Sequence, residues 1–353
     1  MSKQKIIIWT TGIDDLIESN GQVGGLIVQM MHWAFAFQKE NFKVYSFTKG
    51  SNRKFKGLYF LKMSRKKRLS IVFETINSIY YIVKVRPEII LFRGASRNLY
   101  IVSKICALFK VKLVFMGASD VNFTLGKENV SGRSYNKKLY RKGLKNTQYF
   151  AVQNKMQADN LFKNYNKESI CIPNIWQEKS NAVDTKELII WVGNFRSLKR
   201  PYWFVNLSKK ISTEQFTMAG FPVNKKLYAA CSDHSNRISN LDFLGPISFQ
   251  ESEALFDRAK LLICTSEYEG FPNTFLQAWS RNIPVISTVD PSNLIAENNL
   301  GCFVESEDEL SNKLQVLMKN EKLFSKMEAS IAEYFRDNHN QEAYLNRLLK
   351  YIE

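Results

Sequence analysis

At 353 residues the chain exceeds the ~250–300 at which a single hydrophobic core stops growing, so two domains are the expectation. Hydrophobic residues at 45%, aromatics at 13% and charged residues at 24% exclude a wholly disordered chain, a collagen-like repeat and a coiled-coil rod. The net charge of +17 is unevenly spread: residues 1–172 hold 30 basic and 10 acidic side chains, a net of +20, whereas the remainder is at −3.

Basic residues cluster at Arg53, Lys54, Lys56, Lys62, Arg65, Lys66, Lys67 and Arg68, and again at Arg133, Lys137, Lys138, Arg141, Lys142 and Lys145. Such clusters suit phosphates on lipid headgroups, nucleic acid or a phosphorylated substrate, unless they are only a solvated surface. No aromatic readout motif interleaves them, so nucleic acid is not an expected partner. The five cysteines (Cys106, Cys171, Cys231, Cys264, Cys302) form no CxxC pair, which fits a reducing compartment better than a disulfide framework or a zinc knuckle.

In chain order, the opening MSKQKIIIWTTG has too short an apolar run for a signal peptide and reads as a first strand, Lys5–Thr10. Further strands are expected at Lys43–Thr48, Ile89–Phe92, Lys112–Met116, Tyr149–Val152 and Ser169–Ile172, with helices between them. The first helix, near Gly24–Lys39, spaces Leu26, Met30, Ala34 and Phe37 so that an apolar stripe faces a sheet. The stretch Ile101–Met116 is broken by Lys104, Lys110 and Lys112, so no spanning helix is expected and the chain should be soluble or peripheral.

The alternation pauses at Pro173-Asn174 and a polar linker, Gln177–Lys186, then restarts with strands at Leu188–Val192, Gln215–Ala219, Leu241–Leu244, Leu261–Thr265, Pro284–Ser287 and Gly301–Val304. Two doubly wound parallel sheets follow, one in residues 1–172 and one in 173–337, with a tail helix over about 338–353.

In such sheets ligands sit beyond the carboxyl ends of strands, which singles out three loops. After the first strand, Gly24-Gly25 opens a helix and leaves backbone N–H groups free for a phosphate or substrate, though paired glycines also serve ordinary turns. After Leu188–Val192, Gly193, Asn194, Phe195, Arg196, Ser197, Leu198, Lys199 and Arg200 put three cations ahead of Pro201, a first helical residue, which suits an anion. After Leu261–Thr265, the run from Ser266 to Trp279 carries Glu269, an acceptor for hydroxyls, then Asn273 as an expected N-cap and Gln277 a turn into the helix. A polyol joined to a diphosphate is the ligand these groups suit.

The segment Glu269-Gly-Phe-Pro-Asn-Thr-Phe-Leu-Gln277-Ala-Trp, followed by Pro284-Val285-Ile286-Ser287, resembles the E-x7-E signature of group 1 (family 4) retaining glycosyltransferases. Gly24-Gly25, Gly193 through Lys199 and Asn240-Leu-Asp-Phe-Leu-Gly245 lie in the order that family has. The resemblance implies the GT-B fold, two Rossmann-like domains facing across a cleft with a C-terminal helix crossing back. It also implies transfer of a sugar from a nucleotide diphosphate sugar to a saccharide or lipid-linked saccharide acceptor, with no metal and no other cofactor.

By the same resemblance Glu269 contacts donor-sugar hydroxyls, and Gly270, Phe271 and Pro272 line the sugar and phosphates, with Gly193, Asn273 and Thr274 beside the donor. Lys199 neutralises the diphosphate, Arg196 stands in for the arginine the family has where this chain has Asn194, and Ile247 lies where the nucleobase is received. The second glutamate of the signature is Gln277 here, able to accept from a ribose hydroxyl but uncharged. On the acceptor side the family's histidine has no match in Phe115–Asp120, leaving Ser119 or Asp120. The expected setting is bacterial-type surface polysaccharide assembly at the cytoplasmic face of a membrane. A catalytically silent GT-B subunit and a nucleotide-sugar epimerase are the alternatives.

The segment Leu69–Val83 behind Arg65-Lys66-Lys67-Arg68 has two readings. It is either amphipathic and docked with the basic cluster on an anionic bilayer, or a core helix burying Leu69, Val72, Phe73, Ile76, Ile79 and Tyr80.

Overall fold

The computed structural model describes residues 3–18, 24–63, 70–132, 134–179, 186–269 and 271–353. Gly270, the cluster Arg65–Arg68 with Leu69, Arg133 and residues 180–185 of the expected linker lie outside that set. The described residues divide into two compact units, one running to Ile175 and including Gln341–Glu353, the other Trp176–Asn340.

The first unit comprises β1 (Lys5–Thr11), α1 (Ile13–Ile17), α2 (Gly25–Lys39), β2 (Lys43–Thr48), β3 (Arg53–Phe55), β4 (Leu58–Lys62), α3 (Ser70–Val85), β5 (Ile89–Arg93), α4 (Asn98–Phe109), β6 (Lys112–Met116), α5 (Ser134–Asn146), β7 (Tyr149–Val152), α6 (Lys155–Tyr165) and β8 (Ile170–Cys171). Its sheet has the order β3-β4-β2-β1-β5-β6-β7-β8, and every pairing is parallel except β3 with β4. The apolar run Ile6–Ile8 is fully buried in β1, as a strand covered on both faces requires. On α2 the inward stripe is Met30, Trp33, Ala34 and Phe37, while Leu26 is only half-buried.

Two strands went unread in the sequence, the hairpin β3–β4. Lys56 and Gly57 both have positive φ, 44° and 81°, the two-residue turn whose twist matches that of paired strands. A core of aromatic and branched residues, among them Phe92, Phe115, Phe123, Tyr140 and Phe150, fills one side of this sheet under α3, α4 and α5.

The second unit comprises β9 (Leu188–Val192), α7 (Pro201–Lys210), β10 (Gln215–Ala219), α8 (Lys225–Ser235), β11 (Leu241–Gly245), α9 (Phe249–Asp257), β12 (Ala259–Cys264), α10 (Asn273–Trp279), β13 (Val285–Ser287), α11 (Leu294–Glu297), β14 (Gly301–Phe303), α12 (Glu307–Lys319) and α13 (Glu321–Asn338). Its sheet is wholly parallel in the order β11-β10-β9-β12-β13-β14. The last helix, α14 (Gln341–Ile352), belongs to the first unit, where Tyr351 meets Tyr149 edge-on at 5.8 Å and Gln341 approaches His32 at 3.4 Å. Among the described residues no helix is long and apolar enough to cross a membrane.

Candidate active site

In the second sheet β9 lies between β10 and β12, so the chain order reverses there, and the loops leaving β9 and β12 flank the reversal point. A crevice at the carboxyl ends of such a pair is where open parallel sheets receive ligands. Both loops singled out in the sequence, 193–200 and 265–272, leave from these two strands.

The β9 loop is built for close backbone approach. A Cβ on Gly220 would stand 1.6 Å from the Gly193 carbonyl oxygen, so only glycine lets the β10 loop pass beside it. Phe195, fully buried, anchors the loop, and its N–H and C=O bond to Phe221 and Asn224 at 2.9 and 2.8 Å. Arg196 next to it is exposed. Of the three cations, Arg200 is committed internally. Its Nε and Nη2 donate to the carbonyls of Thr265 and Ser266 at 2.8 and 3.1 Å, and its guanidinium stacks 4.2 Å over Trp203.

The two loops are joined directly. Glu267 N–H donates to Leu198 O at 2.7 Å, and Thr265 Oγ1 donates to Lys199 O at 2.6 Å while accepting from Trp191 Nε1 at 3.0 Å. These bonds bring Lys199 Nζ onto Glu269 Oε1 as an ion pair, and Ser266 Oγ donates to the same carboxylate oxygen at 3.1 Å. The side chains keep 25% and 20% of their exposure, so each can still be reached by a ligand. Burial, opposed by the Cys264 thiol and aided by the Arg196 charge, pulls the Lys199 pKa below its ordinary value.

The helix α10 corrects one expectation. Pro272 occupies the N-cap and Asn273 is the first helical residue, with no side-chain cap, followed by a half-buried Thr274. Gln277 is 5% exposed and its Nε2 donates to Ser252 Oγ at 3.1 Å and Glu253 Oε1 at 2.8 Å. Its two amide hydrogens are therefore held by α9, which leaves the side-chain oxygen as the group that could accept from a hydroxyl. Glu253 also receives Arg281 at 3.1 Å and Lys179 at 3.5 Å, which makes it the centre of a polar clasp between α9 and α10. Sequence spacing gave no signal for Glu253. Phe271 packs its ring on Trp279 and His339, at 6.2 and 5.9 Å between centroids. Ile247 is half-buried just before the N-cap Ser248 of α9.

In the first unit Gly24 is the exposed N-cap of α2 and Gly25 its first residue. Ser119 caps the short 3-10 turn Asp120–Phe123, and Asp120 Oδ1 accepts from Asn154 and Gln157 at 3.0 and 2.9 Å, so that oxygen is held within the unit. Arg93, unread in the sequence, ends β5 with its guanidinium buried and Nη2 donating to Asn174 Oδ1 at 2.7 Å. Burial lowers its pKa to about 10. No histidine stands in these loops: His32 is on α2, His234 is on α8 against Tyr202, and His339 lies in the aromatic cluster of Trp279, Tyr334 and Phe335. Among the described residues no group of three or more His, Cys, Asp or Glu could hold a metal ion.

Residues 186–320, which include both loops, match the sequence model of the family Glycosyl transferases group 1, and the resemblance seen in the Glu269–Trp279 segment is borne out there. No curated protein sequence matches the chain. Solved structures match nearly end to end. Sucrose-phosphate synthase from Thermosynechococcus elongatus has a TM-score of 0.73 at 13% identity, covering 99% of this chain and 98% of that one. A glycosyltransferase from Rickettsia africae has a TM-score of 0.72 at 15% identity, covering 100% and 98%. WaaG, a glycosyltransferase involved in lipopolysaccharide biosynthesis, has a TM-score of 0.68 at 13% identity, covering 97% and 98%. These likenesses establish the GT-B fold.

Proposed function

We propose that the chain is a retaining glycosyltransferase that moves a sugar from a nucleotide diphosphate sugar to a hydroxyl of a saccharide acceptor, carried on a lipid, in surface polysaccharide assembly on the cytoplasmic side. The observation that carries this reading is the Lys199–Glu269 pair at the reversal point of a group 1 glycosyltransferase unit, with Arg196 exposed beside it. Without ligand the two charges neutralise each other. A sugar joined to a diphosphate meets both at once, the hydroxyls accepted by Glu269 and the phosphates by Lys199 and Arg196, each bond charge-assisted.

The acceptor oxygen then bonds to the anomeric carbon on the face from which the diphosphate leaves, and the departing phosphate oxygen takes the acceptor proton. No side chain has to act as a base, and the protein's task is electrostatic: Lys199 and Arg196 stabilise the charge that grows on the leaving group. The reaction so written needs no metal and no other cofactor.

The test is a thermal-shift panel of UDP-, GDP-, ADP- and TDP-sugars, followed by turnover with saccharide acceptors. A ligand at a hundred times its Kd stabilises by about 2.7 kcal/mol. The reading expects nucleoside diphosphate release only with acceptor present, and a product that keeps the donor's anomeric configuration by NMR. Binding without release in every combination would favour a silent subunit, and isomerised nucleotide sugar without acceptor would favour an epimerase.

A further inference from the structure

The helix α3 has two apolar faces. Tyr81, Ile82 and Val85 enter the core, whereas Ile76, Ile79, Tyr80 and Val83 stand 55%, 41%, 51% and 45% exposed. Their spacing of three, four and seven residues makes one continuous outward stripe. The core-helix reading of Ile76, Ile79 and Tyr80 is thereby corrected: the buried residues are their neighbours. Beside α3 on the same side of the sheet lies α4, which ends in Leu108 and Phe109, 76% and 42% exposed.

The charge around these residues has one sign. The segments of α3, α4 and α5 hold seven basic residues and one acidic residue, Glu74. Lys84, Lys104, Lys110, Lys138, Lys142 and Lys145 are all exposed, the last three at successive outward positions of α5. Of the seven, among the described residues, only Arg141 is spent on a carboxylate, that of Glu128.

We propose that this side of the first unit, with the α3 stripe at its centre and the lysines of α4 and α5 around it, is a docking surface for an anionic lipid bilayer. Aliphatic and tyrosine side chains framed by lysine match the boundary between acyl chains and negative headgroups, where apolar burial and charge attraction act together. A nucleic acid would leave the isoleucines uncovered, and an acidic protein surface would not call for four apolar residues in line. The inference rests on this surface alone and is independent of the transfer chemistry proposed above.

The test is sedimentation of the full chain with phosphatidylcholine vesicles and with vesicles containing phosphatidylglycerol, at low and high salt. Each basic residue near a negative surface contributes about a fivefold gain in partitioning, screened over a Debye length of about 8 Å at physiological salt. Binding is expected to anionic vesicles only, with release near 0.5 M salt, where the screening length is about half its physiological value. Lys138→Glu/Lys142→Glu/Lys145→Glu should weaken it by about a hundredfold, and Ile76→Ser/Ile79→Ser/Val83→Ser by at least about tenfold at low salt. All six positions are exposed, so the variants should keep the parent melting temperature, and donor-induced thermal shifts should persist. Equal binding to both vesicle types, no binding to either, retention by both variants, or a dimer in light scattering that the serine variant dissociates would each overturn the proposal.

Discussion

Lys199 and Glu269 lie 70 residues apart in sequence and meet as an ion pair where the loops of β9 and β12 are hydrogen-bonded together. In the proposed reaction a ligand with both hydroxyls and phosphates would take the place of each as the other's partner. Removing one leaves the other partly buried and unpaired, so the pair is coupled in stability as well as in binding. Lys199→Ala and Glu269→Ala should each lower kcat/KM by about a hundredfold or more, while the double variant loses less than the product of the singles. Melting curves of all three are the check on folding.

The clasp under α10 gives the glutamine at 277 a physical reason. Its amide donates to Glu253 Oε1 at 2.8 Å, so a glutamate there would set two carboxylates against each other in a buried place. Gln277→Glu should destabilise the chain by about 1–3 kcal/mol at neutral pH, and Glu253→Gln in the same chain should recover most of it. Denaturant melts of the two singles and the double close the cycle. Strict additivity would show that the two side chains do not interact.

Gly220 is the tightest point of the β9–β10 crossing. Alanine there would put Cβ 1.6 Å from Gly193 O, and the loop that carries Lys199 must shift to admit it. A loss of about 2–4 kcal/mol in stability is expected, with donor-induced thermal shift reduced in the molecules that still fold.

Acid should reveal Glu128. Burial raises its pKa, but two Arg141 bonds at 2.5 and 3.0 Å outweigh that and hold the carboxyl below its ordinary range. A depressed carboxylate stabilises the fold above its unfolded pKa of about 4.3, and this stability is lost as pH falls through the lower, folded value. Urea midpoints of the parent should therefore fall below pH ~4.5 more steeply than those of Glu128→Gln. Arg141→Ala should cost about 2–3 kcal/mol at pH 7, since Glu128 is left buried with its charge uncompensated.

How much was legible in the sequence follows from where burial leaves a pattern. Lys43–Thr48, Lys112–Met116, Tyr149–Val152, Leu188–Val192 and Gln215–Ala219 form strands at the bounds read from the chain, because strands covered on both faces are short apolar runs between breaks. The hairpin Arg53–Lys62 was hidden because its lysines read as a charge cluster. Its signal was Gly57 between Phe55 and Leu58. Periodicity could not orient α3, apolar on both faces. Glu269 and Lys199 were legible as candidates because each lies in the loop that follows a strand, but nothing in sequence spacing pairs them or reveals Glu253 behind Gln277.

The most direct measurement is nucleoside diphosphate release by the parent chain and by Glu269→Ala, with a saturating nucleotide sugar and with or without a saccharide acceptor. The account predicts acceptor-dependent release by the parent and a loss of about a hundredfold or more in the variant, with a cooperative melt showing that the variant still folds. Full release by Glu269→Ala would contradict it.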